Sequence, residues 1–138
     1  ALNPHWLRKH LLPRYEAILA PIRASGKTLL FMTDGDFSVL APDLAALGVD
    51  GFFLDAPCMD LEHIVAQCGA DLVYFTGPAP ATLATGRPQD VRAEVRRLAE
   101  IARDVPRFLF HMPGGFTHNM PVENVVAYYE ACREYGRR

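Results

Sequence analysis

The chain has 138 residues, half of them hydrophobic, and a formal net charge of -2 at pH 7. This length and composition predict a single globular domain, 1–138, that buries roughly two thirds of its unfolded surface. The slightly acidic balance excludes the basic surface that nucleic acid or an anionic membrane requires. The apolar runs are far shorter than a membrane span and residues 1–10 lack a signal peptide's apolar segment, so we expect a cytoplasmic protein.

The cysteine pattern predicts free thiols. Cys58, Cys68 and Cys132 are an odd number and form no CxxC pair. Disulfide frameworks and structural zinc sites need paired or clustered cysteines, so neither is expected. We therefore expect no metal and no cofactor in this chain.

The first 26 residues have the signals of helical structure. Asn3 followed by Pro4 is typical of a helix N-terminus, and Gly26 marks the end of the region. Pro13 and Pro21 lie inside it, and each removes a backbone donor. The sequence therefore predicts either two short helices or one kinked helix.

Four apolar, aromatic-rich runs follow, at 29–36, 51–57, 72–78 and 108–115. Helical patterns come after them, with a loop rich in Pro, Ala and Thr at 77–88; the helices are predicted at 42–47, 60–68, 89–105 and 121–135. Such runs suit strands covered on both faces, and helical connections imply right-handed βαβ units. The predicted fold class is α/β, with four sequential parallel β/α units equivalent to half of a TIM (β/α)8 barrel.

The ends of these runs carry the residues suited to chemistry. Parallel strands all end at one edge of the sheet, which is where α/β folds bind ligands. We therefore predict a ligand site built from residues at the strand ends, namely Asp34, Asp36, Asp55, Thr76, His111 and His118.

Three aspartates in this set allow two interpretations. Asp34 and Asp36 flank Gly35, so a tight turn could direct both carboxylates into one mouth. There they could share a proton or hold a cation or a substrate amine. Alternatively, Asp34 shapes the turn and Asp36 caps the next helix, since aspartate is favoured in both roles. Asp55, before a proline, has the same alternatives of ligand-binding residue and turn residue.

The last apolar run offers a histidine and a glycine pair. His111 is either a core residue or an acid or base near neutral pH, since it lies close to the strand end. Gly114 and Gly115 could form an anion-binding turn before the final helix. His118 lies in the following loop, where it is either solvated or part of the same site.

Five segments carry a family resemblance: PHWLRKHLLPRYEAI, LLFMTDGD, ALGVDGFFLDAP, TGPAPATLATGRPQDVRAEV and MPVENVVAYYEACREYG. Together they resemble the C-terminal half of the uroporphyrinogen decarboxylase superfamily of (β/α)8 barrels, which also contains corrinoid- and coenzyme-linked methyltransferases. The resemblance spans nearly the whole chain. It implies a lyase that acts on a polycarboxylated tetrapyrrole in porphyrin biosynthesis.

The chain departs from the family pattern at several places. Residues 76–80 read TGPAP where the decarboxylase usually has Gly-Asn-x-Asp-Pro, and residues 113–115 read PGG in place of Gly-His-Gly. Met32, Asp34 and Gly114 stand where the zinc methyltransferases have their ligands, so that zinc site is not implied. The arginine-rich motif and the aspartate of the first half of the barrel have no counterpart in this chain.

The resemblance assigns roles to the candidate residues. Decarboxylation needs a cation to hold the substrate carboxylates and an acid to protonate the carbon left behind. Asp34, Asp36 and His111 are the catalytic candidates, and Arg87 is the best-placed cation. The remaining substrate-binding candidates are Asp55, Thr76, Gly114, Gly115 and His118.

Because cations are few, we expect this chain alone to be inactive as a carboxy-lyase. One alternative is a non-catalytic half-barrel that binds a small ligand or assembles with another chain. Another is a methyltransferase-like fragment without the zinc site. The two edge strands would leave backbone groups unpaired beside apolar surface, which predicts a homo-oligomer through pairing of half-barrels.

Overall fold

The computed structural model describes residues 3–56, 58–112 and 114–136. Pro57 and Pro113, which the sequence predicts in turns after two of the strands, lie outside the described residues. The elements in chain order are α1 (Pro4–His10), α2 (Leu12–Ala24), β1 (Leu30–Met32), α3 (Ala41–Ala46), β2 (Gly51–Phe53), α4 (Leu61–Cys68), β3 (Val73–Thr76), α5 (Pro80–Thr85), α6 (Pro88–Ile101), β4 (Phe108–Phe110) and α7 (Val122–Tyr135). Short 3₁₀ helices precede α3 (Ser38–Leu40) and follow α6 (Ala102–Asp104).

The four strands form one parallel sheet in the order β1-β2-β3-β4. In its register Met32 is opposite Phe53, and Phe53 is opposite Phe75. Thr76 is opposite Phe110, and the His111 N–H donates to the Thr76 carbonyl over 2.8 Å just beyond β4. The predicted α/β fold, with sequential parallel units equivalent to half of a TIM barrel, is therefore confirmed, and the strand ends share one edge.

The two faces of the sheet have different environments. Phe52 and Tyr74 are fully buried and belong to a core that also contains residues of α3, α4 and α6. Side chains alternate along a strand, so their neighbours point to the opposite, concave face. There Met32 is 67 % exposed and Leu109 47 % exposed. Within the described residues only one face is covered, whereas the apolar runs predicted strands covered on both.

The N-terminal region forms two helices, one of the two predicted arrangements. Asn3 caps α1 by accepting the His5 N–H over 2.9 Å, and Leu11 separates α1 from α2. Pro13 lies in the first turn of α2, where a missing N–H costs nothing, and Pro21 is accommodated inside that helix near its end.

The predicted loop at 77–88 contains the helix α5, so this part of the prediction is wrong. The Ala79 N–H donates to the Glu94 carboxylate over 2.9 Å at the start of α5. At its other end, Asn124 donates to the carbonyls of Leu83 and Gly86. Leu83 itself is fully buried. Contacts from α6 and α7 thus stabilise a short helix whose flanking Gly and Pro residues favour a loop.

A second core cluster lies where α5, α6 and α7 meet. Val91 and Val95 of α6 are fully buried there and, four residues apart, lie on one face of that helix. Met112 and Met120 connect this cluster to the loop after β4. No helix in the described ranges is both long enough and apolar enough to cross a bilayer.

Candidate functional site

A pocket of about 320 Å³ opens at the carboxyl ends of the strands. It lies on the concave side, where the sheet presents its second set of side chains. Its lining residues are Met32, Thr33, Asp34, Phe53, Leu54, Asp55, His111, Gly114 and Gly115. Five of the nine predicted site residues therefore meet in one cavity: Asp34, Asp55, His111, Gly114 and Gly115.

Phe53 and His111 contribute aromatic rings to the pocket lining, and Phe75 stacks on Phe53 beside it. The rings of Phe53 and Phe75 are parallel, with centroids 4.2 Å apart and an interplanar angle of 7°. His111 is half-buried and meets Phe53 edge-on, with the ring centroids 5.2 Å apart. No described residue hydrogen-bonds to its ring nitrogens, so both are available to a ligand. A flat apolar surface beside an imidazole suits a ring-shaped substrate that needs a proton donor.

Asp55 joins the end of β2 to the turn after β1. Its Oδ2 accepts the Gly35 N–H over 2.7 Å. Gly35 has φ +80°, a left-handed conformation that glycine adopts without steric cost. The Asp34–Gly35–Asp36 turn is thereby held against the neighbouring strand end.

Asp36 contacts its own turn and is not part of the pocket lining. Its Oδ1 accepts hydrogen bonds from the Ser38 N–H over 2.8 Å and from the Ser38 hydroxyl. The bond from the hydroxyl, and to a smaller extent the bond from the N–H, hold the pKa of Asp36 below its usual value. Asp34 is exposed and lines the pocket, and its carboxylate has no hydrogen bond or ion pair to a described residue. The structure thus brings Asp34 together with Asp55 and not with Asp36.

Thr76, Arg87 and His118 lie outside the lining of the pocket. Thr76 is buried on the helix-covered side, where its hydroxyl is 3.4 Å from the Leu54 carbonyl. Arg87 is exposed at the start of α6, and its guanidinium pairs with Asp90 over 3.1 Å. His118 is exposed in the loop between β4 and α7.

The Gly114–Gly115 turn separates the pocket from a second cavity. Both glycines have φ +74°, so a side chain at either position would be strained. The second cavity, of about 340 Å³, lies between this turn and α5 and includes Thr117 and Asn119. Because α7 begins only at Val122, the turn is several residues from that helix N-terminus. The predicted anion-binding role of the glycine pair stays a prediction.

The potential metal ligands do not form a metal centre in the described residues. Met32, Asp34 and Gly114 do line one pocket, but a thioether, a carboxylate and a glycine are not a zinc ligand set. No group of three or more His, Cys, Asp or Glu side chains converges anywhere in the described ranges. Cys58 is exposed, Cys68 and Cys132 are partly buried, and all three are free.

Sequence reasoning missed the aromatic side of the pocket. The apolar runs predict strands covered on both faces for Phe53 and Phe75, whereas their rings stack on the concave face next to His111. The available signal was the period of two along each strand. It places Phe53 and Phe75 on the face opposite to the buried Phe52 and Tyr74.

The chain was also compared with known proteins. A family model described as "Uroporphyrinogen decarboxylase (URO-D)" matches residues 1–135. A search of curated proteins found no match. The family match covers almost the full length and confirms the resemblance carried by the five segments. The chain therefore belongs to the uroporphyrinogen decarboxylase family.

Proposed function

We propose that this chain binds a carboxylated tetrapyrrole in the strand-end pocket and supplies the proton donor for its decarboxylation. The observation that carries the proposal is the meeting of Asp34 and His111 in one pocket beside the Phe53–Phe75 stack. The aromatic surface would contact the ring system. The carboxylate and the imidazole would face its polar atoms.

The proposed reaction breaks the bond between a side-chain carboxylate of the substrate and the adjacent carbon. Carbon dioxide leaves, the bonding electrons stay on the substrate carbon, and a protein acid delivers the proton that completes the new C–H bond. Imidazoles donate and accept protons near neutral pH, which makes His111 the first candidate for this acid. Asp34 would accept hydrogen bonds from pyrrole N–H groups, because a carboxylate is a strong acceptor.

The pocket lacks the cations that would hold the substrate carboxylates. No arginine or lysine is among its lining residues. The predicted cation, Arg87, is exposed and paired with Asp90. We therefore propose that this chain alone binds the tetrapyrrole without decarboxylating it, and that the cationic side of the site comes from outside the described residues.

The same observation supports a second candidate, a non-catalytic half-barrel that binds a small ligand. A pocket lined by two carboxylates and an imidazole, with no arginine or lysine, can hold a ligand that has N–H donors and few carboxylates. The third candidate is a methyltransferase-like fragment, and the residues Met32, Asp34 and Gly114 give it no support.

Fluorescence titration with uroporphyrin, the oxidised and fluorescent form of the substrate class, tests the proposal. His111→Ala should weaken binding about tenfold, whereas the matched control His118→Ala, which changes an exposed histidine outside the pocket, should not. Chromatography of uroporphyrinogen incubated with the chain should show no product. Failure to bind uroporphyrin would contradict the tetrapyrrole proposal, and binding of a less carboxylated pyrrole instead would favour the second candidate.

A further inference from the structure

Two aspartates hold β1 against β2 in the same way, one at each end of the strand pair. Before the strands, Asp50 Oδ2 accepts the Leu29 N–H over 2.6 Å. After them, Asp55 Oδ2 accepts the Gly35 N–H over 2.7 Å. The two carboxylates make the same kind of bond, but only the one at the carboxyl end lies in the pocket.

The Gly35–Asp55 bond is the main connection of its turn to β2. At the amino end of the β1–β2 strand pair there is a second bond, from the Asp50 N–H to the Leu29 carbonyl over 2.8 Å. No backbone hydrogen bond joins residues 34–36 to residues 54–56 in the described chain. The position of the turn relative to β2 therefore depends on the carboxylate of Asp55.

Asp34 is the residue whose position this bond controls. It immediately precedes Gly35, and Asp36 on the other side is fixed by Ser38. The peptide after Asp34 is thus held by Asp55, while the Asp34 carboxylate itself faces the pocket without a described partner. Fixing the peptide limits the directions in which that carboxylate can point.

We infer that Asp55 is a positioning residue that holds the turn and directs Asp34 at the ligand. The inference rests on the proposed function for the identity of that ligand, but the hydrogen bond to Gly35 can be tested without it. A positioning role for residue 55 and a role of its charge make different demands on the side chain. An acceptor oxygen at position 55 is required, whereas a negative charge is not.

The test compares Asp55→Ala, Asp55→Asn and Asp50→Ala. Asn keeps an acceptor oxygen for the Gly35 N–H and loses the charge, whereas Ala loses both. Asp50→Ala removes the equivalent bond at the end of the strands away from the pocket. The two readouts are hydrogen exchange of the Gly35 amide by NMR and fluorescence titration with uroporphyrin.

In Asp55→Ala the Gly35 amide should exchange about 10-fold to 100-fold faster, and uroporphyrin should bind about tenfold more weakly. Asp50→Ala should retain both values, and Asp55→Asn should change each by less than about threefold, because its amide oxygen still accepts the Gly35 N–H, although more weakly than a carboxylate does. Unchanged Gly35 exchange in Asp55→Ala would overturn the inference. Weak binding by Asp55→Asn with a protected Gly35 amide would also overturn it, because Asp55 would then contact the ligand through its charge.

A measurement on the unmodified chain covers the case in which Asp55→Ala does not fold. Its Gly35 amide should exchange at least about tenfold more slowly than that of Gly114, which has no acceptor among the described residues. An unprotected Gly35 amide would overturn the inference. If uroporphyrin does not bind the unmodified chain, the proposed function fails, while the Gly35 exchange still decides the role of Asp55.

Discussion

The three aspartates near the pocket differ in what their carboxylates contact. Asp55 accepts a backbone N–H from the neighbouring turn, and Asp36 accepts two hydrogen bonds from Ser38. The Asp34 carboxylate makes no hydrogen bond or ion pair with a described residue. A carboxylate without internal partners has all its hydrogen-bonding capacity free for a ligand, so we assign the ligand-facing role to Asp34.

Exchanging each of the two turn aspartates for Asn separates these roles. Asp34→Asn should weaken uroporphyrin binding about tenfold, because an amide is a weaker acceptor for pyrrole N–H groups than a carboxylate. Asp36→Asn removes the same charge two residues away and should leave the affinity unchanged. Both variants should unfold within about 0.5 kcal/mol of the parent chain. Equal loss of binding in both would show instead that the two carboxylates act as a pair.

The bond between Ser38 and Asp36 predicts a small pH dependence of stability. The pKa of Asp36 is lower in the folded chain than in the unfolded chain, so its contribution is present above the unfolded pKa and is lost as pH falls through the folded pKa. Ser38→Ala should therefore lower the free energy of unfolding at pH 6, by less than about 1 kcal/mol because the carboxylate is exposed to solvent. Urea unfolding at pH 6 and at pH 2 measures this. A difference between variant and parent that persists undiminished at pH 2 would contradict it.

The cysteines should differ in reactivity. Burial raises the pKa of the Cys132 thiol to about 11, so at pH 8 only about one molecule in a thousand carries the thiolate that reacts with iodoacetamide. Cys58 is exposed and should be alkylated first. Mass spectrometry of the folded chain after brief labelling gives the order, with urea-unfolded chain as the control. Modification of Cys132 at the same rate as Cys58 would show that the packing of α7 against the second core cluster does not protect the thiol.

At the scale of elements, α5 is the helix that the sequence did not indicate. It lies between β3 and α6, next to the Gly114–Gly115 turn, and together they border the second cavity. Its last turn is held by Asn124, which is buried and donates to the carbonyls of Leu83 and Gly86. The helix is therefore positioned by α7, which is distant in sequence.

Asn124→Ala should destabilise the chain by about 1–3 kcal/mol, since it leaves two carbonyls at the end of α5 without their donor. Asn119→Ala, an exposed position in the neighbouring loop, serves as the control and should change stability by less than about 0.5 kcal/mol. Urea denaturation monitored by circular dichroism gives both values. A neutral Asn124→Ala variant would mean that α5 is held by the packing of Leu83 and the Ala79–Glu94 bond without help from Asn124.

The elements that sequence could predict are those with a local signal. The apolar runs predict the four parallel strands, and the three- and four-residue spacing of Val91, Val95 and Leu98 is the local signal for the buried side of α6. The helix α5 could not be predicted, because it has only six residues, lies among Gly77, Pro78, Gly86 and Pro88, and is held by Glu94 and Asn124 far along the chain. Because parallel strands all end at one edge of the sheet, the sequence could also predict that Asp34 and His111 share one pocket. It could not predict the hydrogen bond from Gly35 to Asp55, which depends on the direction of a side chain.

At the scale of the whole molecule, the described chain is an open half-barrel. Its edge strands are β1 and β4, each with backbone groups on one side that no described strand pairs with. The concave face between them exposes Leu30, Met32 and Leu109. Open edges beside an apolar face favour pairing with further strands. In a (β/α)8 barrel four more strands close the edges and cover the inner face.

We therefore propose that the 138-residue chain on its own pairs with a second copy about a two-fold axis. Two copies supply eight parallel strands, bring both concave faces together and place two sets of strand-end residues around one mouth.

Sedimentation velocity across a range of concentrations should show a dimer at micromolar concentration. Met32→Lys, which puts a charge on the concave face, should shift the equilibrium at least about tenfold toward monomer. Val122→Lys is the matched control, because Val122 is similarly exposed, at 74 % against 67 % for Met32, but lies on the outer helix α7. A monomer whose outward-facing edge amides, those of Leu30 in β1 and Phe110 in β4, exchange slowly would show that the edges are protected within one chain and would overturn the pairing of half-barrels.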